Sequence, residues 1–313
     1  MALGNYVDVW KLIDKTPPKI EYYINPLIQK NKVTAIFGPG KNFKSSFALY
    51  LSLCISTGAE ALNYSTDNTG NVLWIDEEMG QDGFHLKLHQ IAKGNGIKKN
   101  GNLFFSIHLS GFSALNDYEV LKAFILKHSI DIVVIDSITR ILGDLDENSS
   151  RDIAKLGNTF TKLKEETNST VIFLHHTPKY NKGTMRGSSD FINVIDRALR
   201  IERTPNTNIF KVVDIAIRYG ELIEPFEFKI TNINNNILIN YAGPSTTKFS
   251  PKSDEAKDNL LNILSDGKVK PYSEIIKELV SMGSTESTAK KILNDAAKQI
   301  LVKEGVGYKL PRY

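Results

Sequence analysis

The chain has 313 residues, 41% hydrophobic and 24% charged, with a formal charge of +4, a composition that fits a folded globular protein and excludes disorder as the default. With no apolar run of about 18 residues and no basic start leading into an apolar core, neither a membrane span nor a signal peptide is expected, so the expected location is cytoplasmic. The single Cys54 excludes an intramolecular disulfide and reads as a small core residue, and the mild basic charge is compatible with a polyanionic partner without identifying one.

After Pro17-Pro18, VTAIFG (Val33 to Gly38) reads as a buried strand ending at a glycine loop. From Ser45, the residues Phe47, Ala48, Leu51, Cys54 and Ile55 follow the spacing of an amphipathic helix, and Gly58 supplies its stop. The alternation continues with NVLWID (Asn71 to Asp76), a helix carrying Phe84, Leu88 and Ile91, LFFSI (Leu103 to Ile107) and the helix YEVLKAFILKHS. DIVVID (Asp131 to Asp136), a helix with Ile153, Leu156, Phe160 and Leu163 on one face, and TVIFLHH (Thr170 to His176) follow. Apolar strands alternating with helices predict an α/β fold with a mostly parallel sheet covered on both faces. Beyond Arg197 come successive strands, ALRIER, NIFKVVDIAIR, EPFEFKI and NILINY, the last two joined by a turn at Asn234 to Asn236, so the sheet is expected to gain antiparallel edge strands there.

Residues 242–253, rich in Ser, Thr, Pro and Gly, read as a linker between a main domain over 1–241 and a small one over 254–313. The small domain is expected to hold helices near Asp254 to Leu264, in YSEIIKELVSMG and near Thr285 to Lys298, then two short strands around Gly305 and Gly307. Three helices followed by a β-hairpin is the winged-helix order. Such a domain would set its third helix in a major groove of duplex DNA, with Ser284, Thr285, Ser287, Lys290 and Lys291 near phosphates or bases; winged helices also serve as protein-interaction modules.

The loop FGPGKNFKSS carries Gly38, Lys44 and Ser45 at the spacing of a phosphate-binding loop, with Phe43 where the second glycine belongs. It falls where the mechanism requires it, after an apolar strand and before a helix. The nucleotide-binding set is therefore Gly38, Pro39, Gly40, Lys41, Asn42, Phe43, Lys44, Ser45 and Ser46, with Lys44 on the phosphates and Ser45 on Mg²⁺. Phe43 lacks the torsional freedom of glycine, and its backbone N–H is expected to face phosphate while its ring turns toward a neighbouring subunit or the adenine side. Asp136, at the end of an apolar strand, is the candidate for the metal shell, and Asp76, Glu77 and Glu78 are candidates for the base that activates water. Adjacent His175 and His176 point to opposite faces of a strand and do not chelate one metal together. His85 and His89 have the spacing of a metal pair but lack a third ligand.

Over roughly Val33 to Ile230 the chain resembles the RecA-like P-loop ATPases. VLWIDEEMGQD looks like the strand that ends in their catalytic glutamate, DIVVIDSITRIL like the Walker B strand and VIFLHHTPK like the sensor strand. Within that superfamily, the His-His pair followed by MRGSSDF is similar to the RepA-type hexameric helicases of plasmids and phages. The resemblance implies Glu78 as base, His176 as γ-phosphate sensor with His175 as the alternative, and Arg218 as the arginine supplied to a neighbouring subunit, with Arg186 and Arg203 as alternatives. It also implies ATP and Mg²⁺ as cofactors, a homo-oligomeric ring with a hexamer favoured, and single-stranded DNA as partner. The polar segment Thr177 to Ser189, with few apolar anchors, several cations and one aromatic, suits a DNA-contacting loop and equally a solvated one. A DNA-binding regulator or recombination accessory protein whose ATP site only switches assembly is the alternative function.

Overall fold

In the computed structural model, which describes residues 8–108, 111, 113–177, 185, 189–245, 259–266, 268–299 and 301–309, the short helix α1 (Val9–Ile13) comes first, with the Asp8 carboxylate accepting the Trp10 N–H at 3.1 Å. A small antiparallel pair follows, β1 (Tyr22–Ile24) with β2 (Ile28–Gln29). These strands are too short to show a periodicity and were not expected from the sequence.

The central layer is built from β3 (Val33–Gly38), β4 (Val72–Asp76), β5 (Phe104–Ile107), β6 (Ile132–Asp136), β7 (Thr170–His176), β8 (Arg197–Arg203), β9 (Ile209–Ile217), β10 (Phe226–Ile233) and β11 (Asn236–Pro244). They form a nine-stranded sheet in the order β11-β10-β9-β8-β3-β7-β6-β4-β5. The pairs from β5 through β8 are parallel, whereas β8–β9, β9–β10 and β10–β11 are antiparallel. One expectation needs correction: β8 lies parallel to β3, with Thr34 opposite Arg197 and Phe37 opposite Arg200, so the antiparallel part begins only at β9. The connection from Thr177 to Asp196 is long enough to bring the chain back to the starting edge, which is what a parallel neighbour requires. Asn234 and Asn235 both adopt positive φ (49° and 63°) in the β10–β11 turn, a conformation asparagine tolerates better than most residues.

Strand periodicity splits the core in two. Ile36, Val72 and Trp74 face one side with Phe47, Leu51 and Phe84; Phe37, Leu73 and Ile75 face the other with Leu121, Phe160 and Leu163. The helices are α2 (Lys44–Thr57), α3 (Gly80–Gly94), α4 (Tyr118–His128) and α5 (Ser150–Thr167). On α5 the expected stripe of Ile153, Leu156, Phe160 and Leu163 is buried, and Ser149 caps its N-terminus by accepting the Asp152 N–H. Helix α2 is not amphipathic as expected: it is buried on all faces from Ser46 to Ser56. Its polar residues are satisfied internally, Ser52 Oγ donating to the Ala48 carbonyl at 2.8 Å and Ser56 Oγ to the Leu53 carbonyl at 3.0 Å. Cys54 is buried as expected, and burial pushes its thiol up to about 12.

Strand β11 remains paired through Ala242, Gly243 and Pro244, with Glu227 opposite Gly243 and Phe226 opposite Pro244. The expected linker therefore cannot start at 242, because the ladder outlasts the apolar alternation that ends at Tyr241. Residues 246–258, including the first turn of the helix expected from Asp254, lie outside the described residues. The C-terminal unit contains a helical stretch over 259–263, β12 (Lys270–Pro271), α6 (Tyr272–Ser281), α7 (Glu286–Gln299), β13 (Val302–Glu304) and β14 (Gly307–Lys309). Its strands form an antiparallel sheet in the order β12-β14-β13, and Leu260, Leu264, Ile275, Leu279 and Leu293 form its own core. Thr285 serves as the N-terminal cap of α7, its Oγ1 accepting the Thr288 N–H at 3.3 Å, and Lys290 is paired with Glu286 at 2.6 Å. No helix among the described residues is long and apolar enough to cross a membrane.

Candidate nucleotide site

Parallel pairing brings the chemistry to one edge. The C-terminal ends of β3 and β7 align Gly38 with His176, and those of β4 and β6 align Asp76 with Asp136, so residues distant in sequence share the edge where open α/β sheets bind ligands. A cavity of about 560 Å³ opens there, lined by Phe43, Lys44, Ser45, Glu78, Asp136 and His176 among others, within the size range of small-molecule sites.

The loop between β3 and α2 is shaped by close approach and by torsion. A Cβ at Gly38 would fall on the Ile201 carbonyl oxygen of β8, so only glycine leaves β3 at this point. Gly40 has open space around its Cβ position. Phe43 occupies the left-handed region (φ 56°, ψ 23°) as the residue preceding α2 and offers no side-chain cap, which leaves the first N–H groups of the helix for an anion. Its ring packs edge-on against Phe210 of β9, with centroids 5.2 Å apart, at the margin of the α2-side core. The expectation of a ring turned toward a neighbouring subunit or the adenine side is thus corrected: it turns into its own domain, because Phe210 and its neighbours offer an apolar surface there.

Lys44 Nζ donates to the Pro39 carbonyl at 3.0 Å and lies 3.3 Å from His176 Nδ1. Burial lowers the Lys44 pKa, opposed by the charges of Glu78 and Asp136. Ser45 and Asp136, the two residues assigned to the metal, both line the cavity. Burial raises Asp136 to about 7, the nearby Ser45 hydroxyl opposes this, Glu78 and Asp76 add to it, and Lys44 pulls down. Asp136 is 1% exposed, and its Oδ2 has no hydrogen-bond partner among the described residues. A hydroxyl and a buried carboxylate with one oxygen unengaged are hard donors, and they fit Mg²⁺, whose shell phosphate and water would complete. Among the described residues no group of three or more His, Cys, Asp or Glu could hold a metal, so a cation at this edge depends on such outside oxygens; His85 and His89 gain no third ligand.

The three acidic residues that end and follow β4 separate by environment. Asp76 is fully buried, and its Oδ1 accepts the N–H groups of Met79 at 3.0 Å and Glu78 at 3.3 Å. The Glu77 N–H donates to the Asp136 carbonyl at 2.9 Å. Glu78 is exposed at the cavity, the position from which a carboxylate can meet water, and Asp76 fixes the turn that presents it. The histidine pair divides as a strand demands: His176 faces Lys44, while His175 is buried with its ring 4.6 Å from Phe191.

Arg218 lies elsewhere. Its N–H donates to the Asp196 carbonyl at 2.8 Å, and its guanidinium bonds the Asn193 carbonyl at 2.8 Å and lies 3.6 Å from the Asp196 carboxylate. Asp196 in turn bonds the backbone of Val33, so Arg218 sits where β3 begins, at the opposite end from the loop. Arg203 bonds the Thr207 carbonyl and the Asn208 side chain. Arg186 and most of Thr177 to Ser189 lie outside the described residues.

Sequence reasoning missed the α3 wall. Met79, Gly83, Lys87 and Gln90 line the cavity, and their helical spacing is the signal that could have found them once Glu78 was placed at the start of that helix. The AAA domain family matches residues 4–182, a span that holds Lys44, Glu78, Asp136 and His176 and ends before Arg218 and the C-terminal unit.

Proposed function

The chain belongs to the AAA domain family and is a nucleotide-binding P-loop ATPase, and from that premise we propose that it is a ring-forming, ATP-driven motor on single-stranded DNA, acting as a replicative helicase of a mobile element. Lys44 and the loop N–H groups would bind the phosphates, Ser45 and Asp136 would hold Mg²⁺, and Glu78 would take a proton from the water that attacks the γ-phosphorus. When bound, the cation supplies charge neutralisation to the phosphate oxygens. His176, 3.3 Å from Lys44, would report whether a γ-phosphate is present.

The observation that carries the ring is Arg218. With this arginine at the β3 end remote from its own loop, its guanidinium is suited to meet charge on the nucleotide of a neighbouring copy. The C-terminal unit, a small three-stranded sheet with helices, would work as a winged helix presenting α7 to duplex DNA, with exposed Ser287 and Lys291 toward it. The segment Thr177 to Ser189 would contact the single strand.

A strand-displacement assay run beside ATPase measurements tests the proposal. ATPase activity stimulated by single-stranded DNA, ATP-dependent unwinding, and loss of both in Glu78→Gln with ATP binding retained are the expected results. ATP-dependent DNA binding without unwinding would instead make the chain an assembly switch.

A further inference from the structure

The phosphate-loop pattern contains no counterpart of Lys87. This residue stands on α3, and its Nζ lies 3.4 Å from Ser46 Oγ, at the long limit of a hydrogen bond. Among the described residues no carboxylate pairs with it, whereas Lys155 and Lys290 are held by Asp152 and Glu286. Ser46 itself is 1% exposed and belongs to the first turn of α2, where helix N–H groups favour an anion. A half-buried ammonium on the cavity wall, tethered only to a hydroxyl of that turn, is a site for a negative group.

The position along the phosphate chain follows from order on α2. Ser45 shares the cavity wall with Asp136 and Lys44 faces His176, which sets the β- and γ-phosphates on that side. Ser46 is the next residue of the helix, so Lys87 beside it meets the chain nearer the nucleoside. We propose that Lys87 binds the α-phosphate of the nucleotide. The inference rests on the nucleotide-binding reading of the cavity.

Lys87 also ties affinity to catalytic geometry. It shares α3 with the turn that presents Glu78, and the Asp76 carboxylate fixes the start of that helix through the Met79 N–H. A nucleotide held by Lys87 from one side and by the loop from the other would steady the element carrying Glu78. A lysine that only bridged α2 and α3 would affect stability and leave affinity unchanged.

The test is calorimetric titration of ADP and of a non-hydrolysable ATP analogue into the full chain and into Lys87→Ala, Lys87→Arg and Lys44→Ala, with steady-state ATPase kinetics alongside. Lys87→Ala is expected to weaken both nucleotides by about tenfold, the size of one charge-assisted contact, and to lower kcat/KM by at least the same factor. Lys87→Arg should recover most of the loss. Unchanged affinity in Lys87→Ala, with affinity lost in Lys44→Ala, overturns the proposal and leaves the nucleotide site standing. Loss for the ATP analogue alone also overturns it, because that moves the contact to the γ-phosphate. Absence of binding by the unmodified chain would remove the nucleotide reading itself.

Discussion

Replacing Phe43 separates the backbone cost of the loop from the packing of its ring. At φ 56° and ψ 23°, a residue with a Cβ bears roughly 1–2 kcal/mol relative to ordinary torsions. The half-buried ring against Phe210 offsets that cost; truncating a fully buried phenylalanine costs about 3–5 kcal/mol, so about 2 kcal/mol is at stake for a ring buried on one side. Phe43→Ala loses the ring and keeps the strain, and should destabilise by about 2 kcal/mol. Phe43→Gly loses the same ring and sheds the strain, against about 0.5–1 kcal/mol of added freedom in the unfolded chain. It should therefore be the more stable variant by roughly 0.5–1 kcal/mol, or about 1–4 °C in melting temperature for a domain of this size. Urea unfolding of both variants at matched m-values measures the difference, and nucleotide affinity should stay within about threefold because the backbone N–H remains. A Phe43→Ala chain as stable as Phe43→Gly would refute the torsional part; a Phe43→Gly chain more stable than the unmodified protein would refute the packing part.

Asp136 and Arg218 provide the remaining tests. Because burial raises Asp136 from 3.8 to about 7 in the folded chain, its contribution to stability is fully present below the unfolded value and is lost as pH rises through the folded one. Asp136→Asn should remove that pH-dependent loss, making the nucleotide-free chain more stable than the unmodified one at about pH 8 while abolishing turnover; denaturant midpoints across the range check it, and a parallel pH dependence in both proteins counts against the assignment. Arg218→Ala should retain ATP binding and lower turnover by about 10³-fold. Mixing it with Glu78→Gln chains should restore partial activity, since each copy supplies what the other lacks; no recovery in an assembled mixture would sink the role in trans.

Much of the parallel sheet could be read from apolar runs, because a strand buried on both faces writes itself as a continuous apolar stretch. The position of Glu78, Asp136 and His176 at one edge then follows from strand direction alone. What escaped has physical reasons. The hydroxyls of Ser52 and Ser56 close onto their own helix, so polar letters in α2 do not mark a surface. The direction of β8 depends on where a long connection lands, which the letters of the strand do not encode. Lys87 belongs to no motif, and the side on which it falls becomes meaningful only once α3 is laid beside the loop.

The place of β3 between β7 and β8 also orders events during synthesis. The loop strand leaves the ribosome early, yet both of its partners, Thr170–His176 and Arg197–Arg203, come much later. At about 5–20 residues per second, the strand carrying the nucleotide loop waits on the order of ten seconds or more before either neighbour exists. A nascent chain halted before Arg197 would leave bare the flank of β3 that β8 covers in the finished sheet, so the strand leading into the nucleotide loop is held on both sides only after the eighth strand has arrived.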